Sequence, residues 1–297
     1  MHLEIFNVEH GACALITTSN GKRAMIDCGH NASTGWRPGD ALVARGVHWV
    51  DRLFVTNYDE DHVSGYPNLV ERVHVHALTR NWRVPPAAIR RLKSEHGMGW
   101  GIERFVEGIE RTFTGGPPGP VDLDFGDTSF AFFANPLGPP GSGFDDENNL
   151  SLVVFVTCGT HRVVFPGDLE VAGWRALLRD PHFVSYLGGV RVFVASHHGR
   201  QNGYCQEVLD LCPMVDVVVI SDCKMKFQSQ EVVDLYRAHA RGVIFNGKHR
   251  RVLTTRRDGY MRFEFSPLYL PVARRRRLGE AGSGREPARP WGDRARL

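Results

Sequence analysis

Five times in this chain a short apolar run ends in an acid or a histidine, and that recurrence constrains the fold more than any other feature. Arg23 to Ile26 is followed by Asp27, and Leu53-Phe54-Val55 by Asp59, Asp61 and His62 within Thr56 to Gly65. Arg162 to Phe165 leads to Asp168, Val190 to Ala195 to His197 and His198, and Val215 to Ile220 to Asp222. Runs of this length and composition read as buried strands. Layered α/β proteins build their sites where the carboxyl ends of such strands meet. The pattern therefore predicts strands delivering polar side chains to one shared place.

The rest of the chain supplies the framework. Leu3 to Val8, Ala12 to Thr18 and Arg23 to Ile26 read as strands, the last two joined through Asn20-Gly21, a strong hairpin signal. Trp49 to Thr56 is the strand that delivers the acidic stretch, and Val73 to Leu78, Ser129 to Ala134 and Leu150 to Thr157 are further strands. Val243 to Phe245, Arg251 to Thr255 and Tyr260 to Phe265 close the fold, the last two around an expected Asp258-Gly259 hairpin. Helices are expected over Arg37 to Gly46, Tyr66 to Arg72, Pro86 to Glu95, Val171 to Leu178 and Gln230 to Ala240. Gly115 to Pro120 and Pro136 to Gly143 read as surface loops. The hairpin ending in Asp27 echoes the one ending in Asp168. Two β-rich halves, each closing on an aspartate and packed sheet to sheet with helices outside, would explain the echo.

At 297 residues the chain suits one catalytic-sized domain, read here as residues 1–270. Residues 271–297 form an Arg-rich tail without periodicity, expected to be disordered. From Ala273 onward eight arginines face three acids, a surplus of five, which leaves the body near −2 within a formal total of +3. No basic nucleic-acid-binding surface on the fold follows from that balance. The six cysteines lack zinc-ribbon spacing and read as reduced thiols. No segment has the apolar length of a membrane span or the layout of a signal peptide, so a cytoplasmic protein is expected.

Two readings of Thr56 to Gly65 stand side by side. Packing Asp59, Asp61 and His62 within four residues is costly unless a cation lies between them, because neighbouring carboxylates raise each other's pKa. The alternative is a solvated acidic loop capping a helix that starts near Gly65, with Asp61 or Ser64 as the cap.

Taken together and in order, these motifs resemble the metallo-β-lactamase-fold hydrolases. Asn57 to His62 is similar to the family's His-x-His-x-Asp-His signature, Asp27-Cys28-Gly29 to its early aspartate, Phe165 to Glu170 to its bridging-aspartate motif, and Ser196 to Gly199 to its late histidine. More narrowly, Asn148 to Leu152, Gly167 to Glu170 and His197-His198-Gly199 resemble the hydrolase domain attached to bacterial competence DNA-uptake channels and its free-standing relatives. The resemblance spans about Met1 to Phe265 and implies an αββα sandwich: two mixed β-sheets packed face to face with helices outside. It further implies one or two divalent metal ions, Zn²⁺ or Mn²⁺ with Mg²⁺ as an option. Asp61, His62 and His198 would hold one, and Asp168 would bridge to another held by Asp59 and Asn57. Asp61, Asp168 and His198 would be the catalytic residues, with Asp27, His197, Asn149, Ser151, Asp222 and Lys248 supporting them or touching substrate.

The chain departs from the family where Asn57 and Asp59 replace histidines and where Asn148, Asn149 or Ser151 stands in the region of the middle histidine. The implied activity is a metal-dependent phosphodiesterase or nuclease in which Asp61 orients a metal-activated water. Two alternatives stay open: a non-catalytic member with a degenerate site, and a hydrolase of a cyclic nucleotide, lactone or thioester. Lys224, Lys226, Lys248, His249, Arg250 and Arg251 are candidates for a phosphate-binding rim, or for an ordinary solvated face. The expected partners are a nucleic-acid or nucleotide phosphoester, with a protein partner by analogy to antiviral relatives, and no membrane.

Overall fold

The computed structural model describes residues 1–94, 97–115, 123–223 and 232–266, and the backbone of 269–274. Among these residues the chain forms a nine-stranded and a six-stranded mixed sheet. Side-chain alternation along the strands sorts the core into three layers. Ile16, Ile26, Phe54, Val154, Val163, Val217 and Leu253 point between the sheets. Leu15, Met25 and Leu53 point instead to an outer layer with Leu69, Phe105 and Ile109. Val153, Phe155, Val164 and Val218 face Trp174, Phe183 and Tyr236 on the other side. Strands buried on both faces read as continuous apolar runs rather than alternating ones, which is what the sequence displays.

Helices cover both outer faces, and the result is the αββα sandwich implied by the resemblance. The echoing hairpins fall one in each sheet, Cys13–Thr17 with Arg23–Cys28 and Leu152–Cys158 with His161–Phe165. Beyond the first hairpin the sheet continues in parallel through Arg52–Phe54, and beyond the second through Val190–Val194, Val217–Ile220 and Val252–Thr254. Parallel neighbours deliver their carboxyl ends to the same edge of the sandwich. That edge is where the marked residues lie.

Several sequence expectations need correction. Trp49 to Thr56 is two strands, because the Asp51 carboxylate accepts from the Lys22 ammonium, the Arg23 backbone and the Trp49 indole and bends the chain between them. Val73 to Leu78 is likewise split between His74–Val75 and Leu78–Thr79. The Asp258-Gly259 hairpin does not form. Val252–Thr254 belongs to the six-stranded sheet and Met261–Ser266 to the nine-stranded one. Thr255–Asp258 is a helical turn between them, held by Asp258, which receives the Arg250 guanidinium in a bidentate pair and the Thr254 backbone.

Helices Trp100–Arg111, Pro181–Leu187 and Gln206–Leu211 add to those expected from the sequence. The first shows Ile102, Phe105, Val106 and Ile109 buried at helical spacing. Strand Tyr269–Arg274 enters the stretch read as tail, and residues 275–297 lie outside the described residues. Most of the Gly115 to Pro120 loop, Lys224 and Lys226, and the start of the Gln230 helix are outside them too. The cysteines are unpaired thiols, as expected. No helix among the described residues is long and apolar enough to cross a membrane.

Candidate metal centre

Asp27 closes strand Arg23–Cys28 with a positive φ of 56°, which turns its carboxylate back over the end of the neighbouring strand. One oxygen accepts from the Thr56 backbone at 2.7 Å. The other accepts from the Thr56 hydroxyl at 2.5 Å and lies 2.9 Å from His62 Nδ1. His62 rides on a one-turn helix, Glu60–Val63, tied down by Glu60, whose carboxylate accepts the Gly101 and Ile102 amides at 2.8 and 3.0 Å. At 1% exposure His62 is no member of a solvated capping loop. Space for this turn depends on two glycines: a Cβ at Gly11 or Gly29 would fall 2.2 or 2.3 Å from the Asp61 carbonyl oxygen. Gly29→Ala should therefore displace the Asp61 backbone and weaken metal binding, measured by calorimetric titration.

The second sheet supplies the opposing groups. Asp168 follows Gly167, which has a φ of 60°, and its carboxylate meets His62 Nε2 at 3.0 Å and His198 Nε2 at 3.4 Å. His197 and His198 both adopt left-handed backbone, φ 49° and 54°, which tips the His198 ring toward the cluster. Its Nδ1 donates to the Ser221 carbonyl at 3.0 Å, so the tautomer presents Nε2, which also faces Asp61 at 3.3 Å. Ligand atoms of His62, Asp168 and His198 lie within 4.8 Å of one another, as do those of His10, Asp61 and His198.

The electrostatics describe a place made for positive charge. Burial pushes both rings toward neutrality, but the Asp168 and Asp27 carboxylates hold His62 well above the usual imidazole value, and Asp168 with Asp61 lifts His198 to about 10. Burial alone would raise Asp168, yet the two imidazoles hold it well below the usual carboxylate range. In the metal-free protein, protons neutralise the cluster; a divalent ion would do the same with one charge centre.

The structure brings Asp61, His62, Asp168 and His198 together as expected, with Asp27 orienting His62, but it separates the others. Asn57 is bonded locally: its Oδ1 accepts its neighbour Asp59's amide at 2.7 Å, and its Nδ2 donates to Ser151 Oγ and Asn148 Oδ1. Asp59 is taken by the Lys93 ammonium, which also meets Glu147. Ser151 supports the Asp168 loop by accepting its amide, while Asn149 fixes Gly173 in the next helix. Asp222 holds the Arg256 amide and guanidinium. Lys248 and Arg250 are not a rim of the site. Lys248–Arg250 is the edge strand farthest from the site-bearing strands, on the segment entering Val252–Thr254 from its amino end, and Arg250 is engaged by Asp258.

Four groups escape a reading of the sequence. His10 lies against His198, the rings tilted by 41° at 4.3 Å between centroids, and it follows the first strand just as the other marked residues follow theirs. Arg200 donates to His197 Nε2 and His10 Nε2, each at 2.9 Å, so both rings serve as neutral acceptors. Burial, first among the causes, lowers His197 and takes His10 down to about 4. Lys93 and Glu147 are the other two, carried on a helix and a loop that bear no motif.

Two imidazole nitrogens with their far nitrogens locked by Asp27 and Ser221, and two carboxylates facing them, fit a divalent cation. Asp27→Ala should cost about 10- to 100-fold in metal affinity, the usual effect of losing a group that orients a metal ligand. A titration showing unchanged affinity would contradict that role.

No protein-family model and no curated protein matches this sequence. Solved structures align with it at low identity. The metallo-β-lactamase fold protein YhfI from Bacillus subtilis is 12% identical, covers 88% of this chain and 100% of its own, and gives a TM-score of 0.46. A diphosphatase of the PhnP family is 9% identical over 89% and 98%, with a TM-score of 0.43. Zn²⁺-bound PqqB from Methylobacterium extorquens is 12% identical over 65% and 72%, with a TM-score of 0.39. These are likenesses of architecture, and substrate does not follow from them.

Proposed function

We propose that this chain is a metal-dependent hydrolase of phosphodiesters, a nuclease or phosphodiesterase whose ion is held by Asp61, His62, Asp168 and His198. The observation that carries the reading is the convergence of two tautomer-locked Nε2 atoms on Asp168, with Asp61 beside them. A divalent ion bound there supplies a water of lowered pKa and positive charge for phosphoryl oxygens.

The chain's own residues provide the rest. Asp61 is the most exposed of the four, its side chain one-third accessible, so it is the carboxylate placed to orient water and accept its proton. Arg200 presents a planar fork beside the cluster, preset by His10 and His197, where a non-bridging phosphate oxygen can replace a histidine as acceptor. Lys93 adds a second buried cation nearby. Fixed cations favour an anionic ester over a lactone or thioester, and the likeness of Asn148 to Leu152 and His197 to Gly199 to the competence-channel branch favours a polynucleotide.

The test is a substrate panel: bis(p-nitrophenyl) phosphate, single- and double-stranded oligonucleotides, a cyclic dinucleotide, a lactone and a thioester, with Mn²⁺, Zn²⁺ or Mg²⁺ and with chelator. Metal-stimulated phosphodiester cleavage, abolished by chelation, is expected. Faster lactone or thioester turnover would overturn the substrate class. A bound ion with no turnover on any substrate would favour the non-catalytic alternative.

A further inference from the structure

We infer that the Lys93 ammonium stands where a second divalent ion would bind beside Asp59, so that this site holds one metal ion and not two. The inference rests on the metal-hydrolase reading above and goes beyond it in fixing the ion count and the residue that sets it.

Lys93 ends helix Pro86–Lys93, whose sequence places Ala88 and Ile89 on the buried face and sends Arg90 outward to Glu110. Lys93 lies four residues after Ile89, on that same buried face. Its side chain is 6% exposed, and an ammonium so buried persists only where carboxylates answer it. Asp59 and Glu147 do so, both within ion-pairing reach. Their charges keep the amine protonated against burial.

Asn57 Oδ1 is turned to the Asp59 amide, and Ser151 Oγ accepts from Asn57 and from the Asp168 amide. Neither Asp59 nor Glu147 belongs to a cluster of metal-ligand geometry among the described residues. A dication approaching Asp59 would meet a fixed positive charge already at its carboxylate. An internal ammonium in that position supplies charge without metal, and it cannot be removed by chelators.

Metal stoichiometry decides the matter independently of activity. The full-length protein is freed of metal, dialysed against Mn²⁺ and measured by elemental analysis and electron paramagnetic resonance, alongside Lys93→Ala and Lys93→Ser. One ion with an uncoupled spectrum is expected in the wild type. Two ions with a spin-coupled spectrum are expected in the variants, since paired sites in such centres sit about 3.5–4 Å apart. Two ions in the wild type would overturn the inference while leaving the hydrolase reading intact, and this holds even if neither variant folds. One ion in folded wild type and variants alike would reduce Lys93 to a structural ion pair and overturn it as well. No ion in folded wild type would remove the hydrolase reading itself.

Discussion

Asp168→Ala will lose metal affinity by more than about 100-fold, beyond the range expected for groups that only orient a ligand, and hydrolysis will fall with it. Asp168 is the one carboxylate that both imidazole Nε2 atoms face, at 3.0 and 3.4 Å, and it is buried at 3% exposure. Removing it leaves His62 with Asp27 and His198 with Asp61, in two separate halves. The metal-free fold should survive, because the imidazoles can shed their protons once the shared carboxylate is gone and no buried charge is stranded. Calorimetric titration with Mn²⁺ and a thermal melt of the metal-free variant check both statements. Wild-type affinity in a folded Asp168→Ala protein would show that the ion lies elsewhere.

Metal uptake should be strongly coupled to proton release. His62 is held well above its ordinary value and His198 at about 10, so near neutral pH both rings carry the proton that an ion must displace. Release of the His198 proton alone raises apparent affinity by about tenfold per pH unit between pH 7 and 9, and the slope is steeper wherever His62 is still protonated. Calorimetry in buffers of different ionisation enthalpy counts the protons directly, and a count of zero would contradict the arrangement. Stability of the metal-free protein follows the opposite course. A histidine whose folded pKa exceeds its unfolded value of 6.5 contributes stability below pH 6.5 that is lost as pH rises through about 10 for His198. Asp168, held low, contributes above its ordinary 3.8 and loses that contribution as pH falls. Below pH 6.5 the buried neutral rings of His10 and His197 work against the fold, so the metal-free melting temperature should be highest near pH 6.5 and decline toward pH 10.

The legible part of this molecule is the part written in period and punctuation. Buried parallel strands such as Val217–Ile220 are unmistakable as apolar runs, and the polar residues just past the ends of such runs include Asp61, His62, Asp168 and His198. His10 obeys the same rule, yet a single histidine before Gly11 carries no motif. Lys93 and Glu147 cannot be read at all: a lysine at a helix end and a glutamate in a loop look like solvated surface until tertiary packing buries one against the other. The same limit misplaces Lys248 and Arg250, where a run of cations suggests a rim but the chain order of the sheets puts them at the far edge. Position in a motif points to Asn57 and Asp59 as ligands, and the bonds they make here, an amide turned to the neighbouring backbone and an ion pair with Lys93, are not written in that motif.

The cluster draws Asp61 and His62 from the loop after one sheet and Asp168 and His198 from loops after the other. A bound ion would thus tether the two halves of the sandwich across their seam. Stripping it should leave the interior closed but let that mouth breathe. Amide hydrogen exchange would then quicken around Val55 to Val63 and Ser196 to Gly199, while the buried midsections of the strands stay protected.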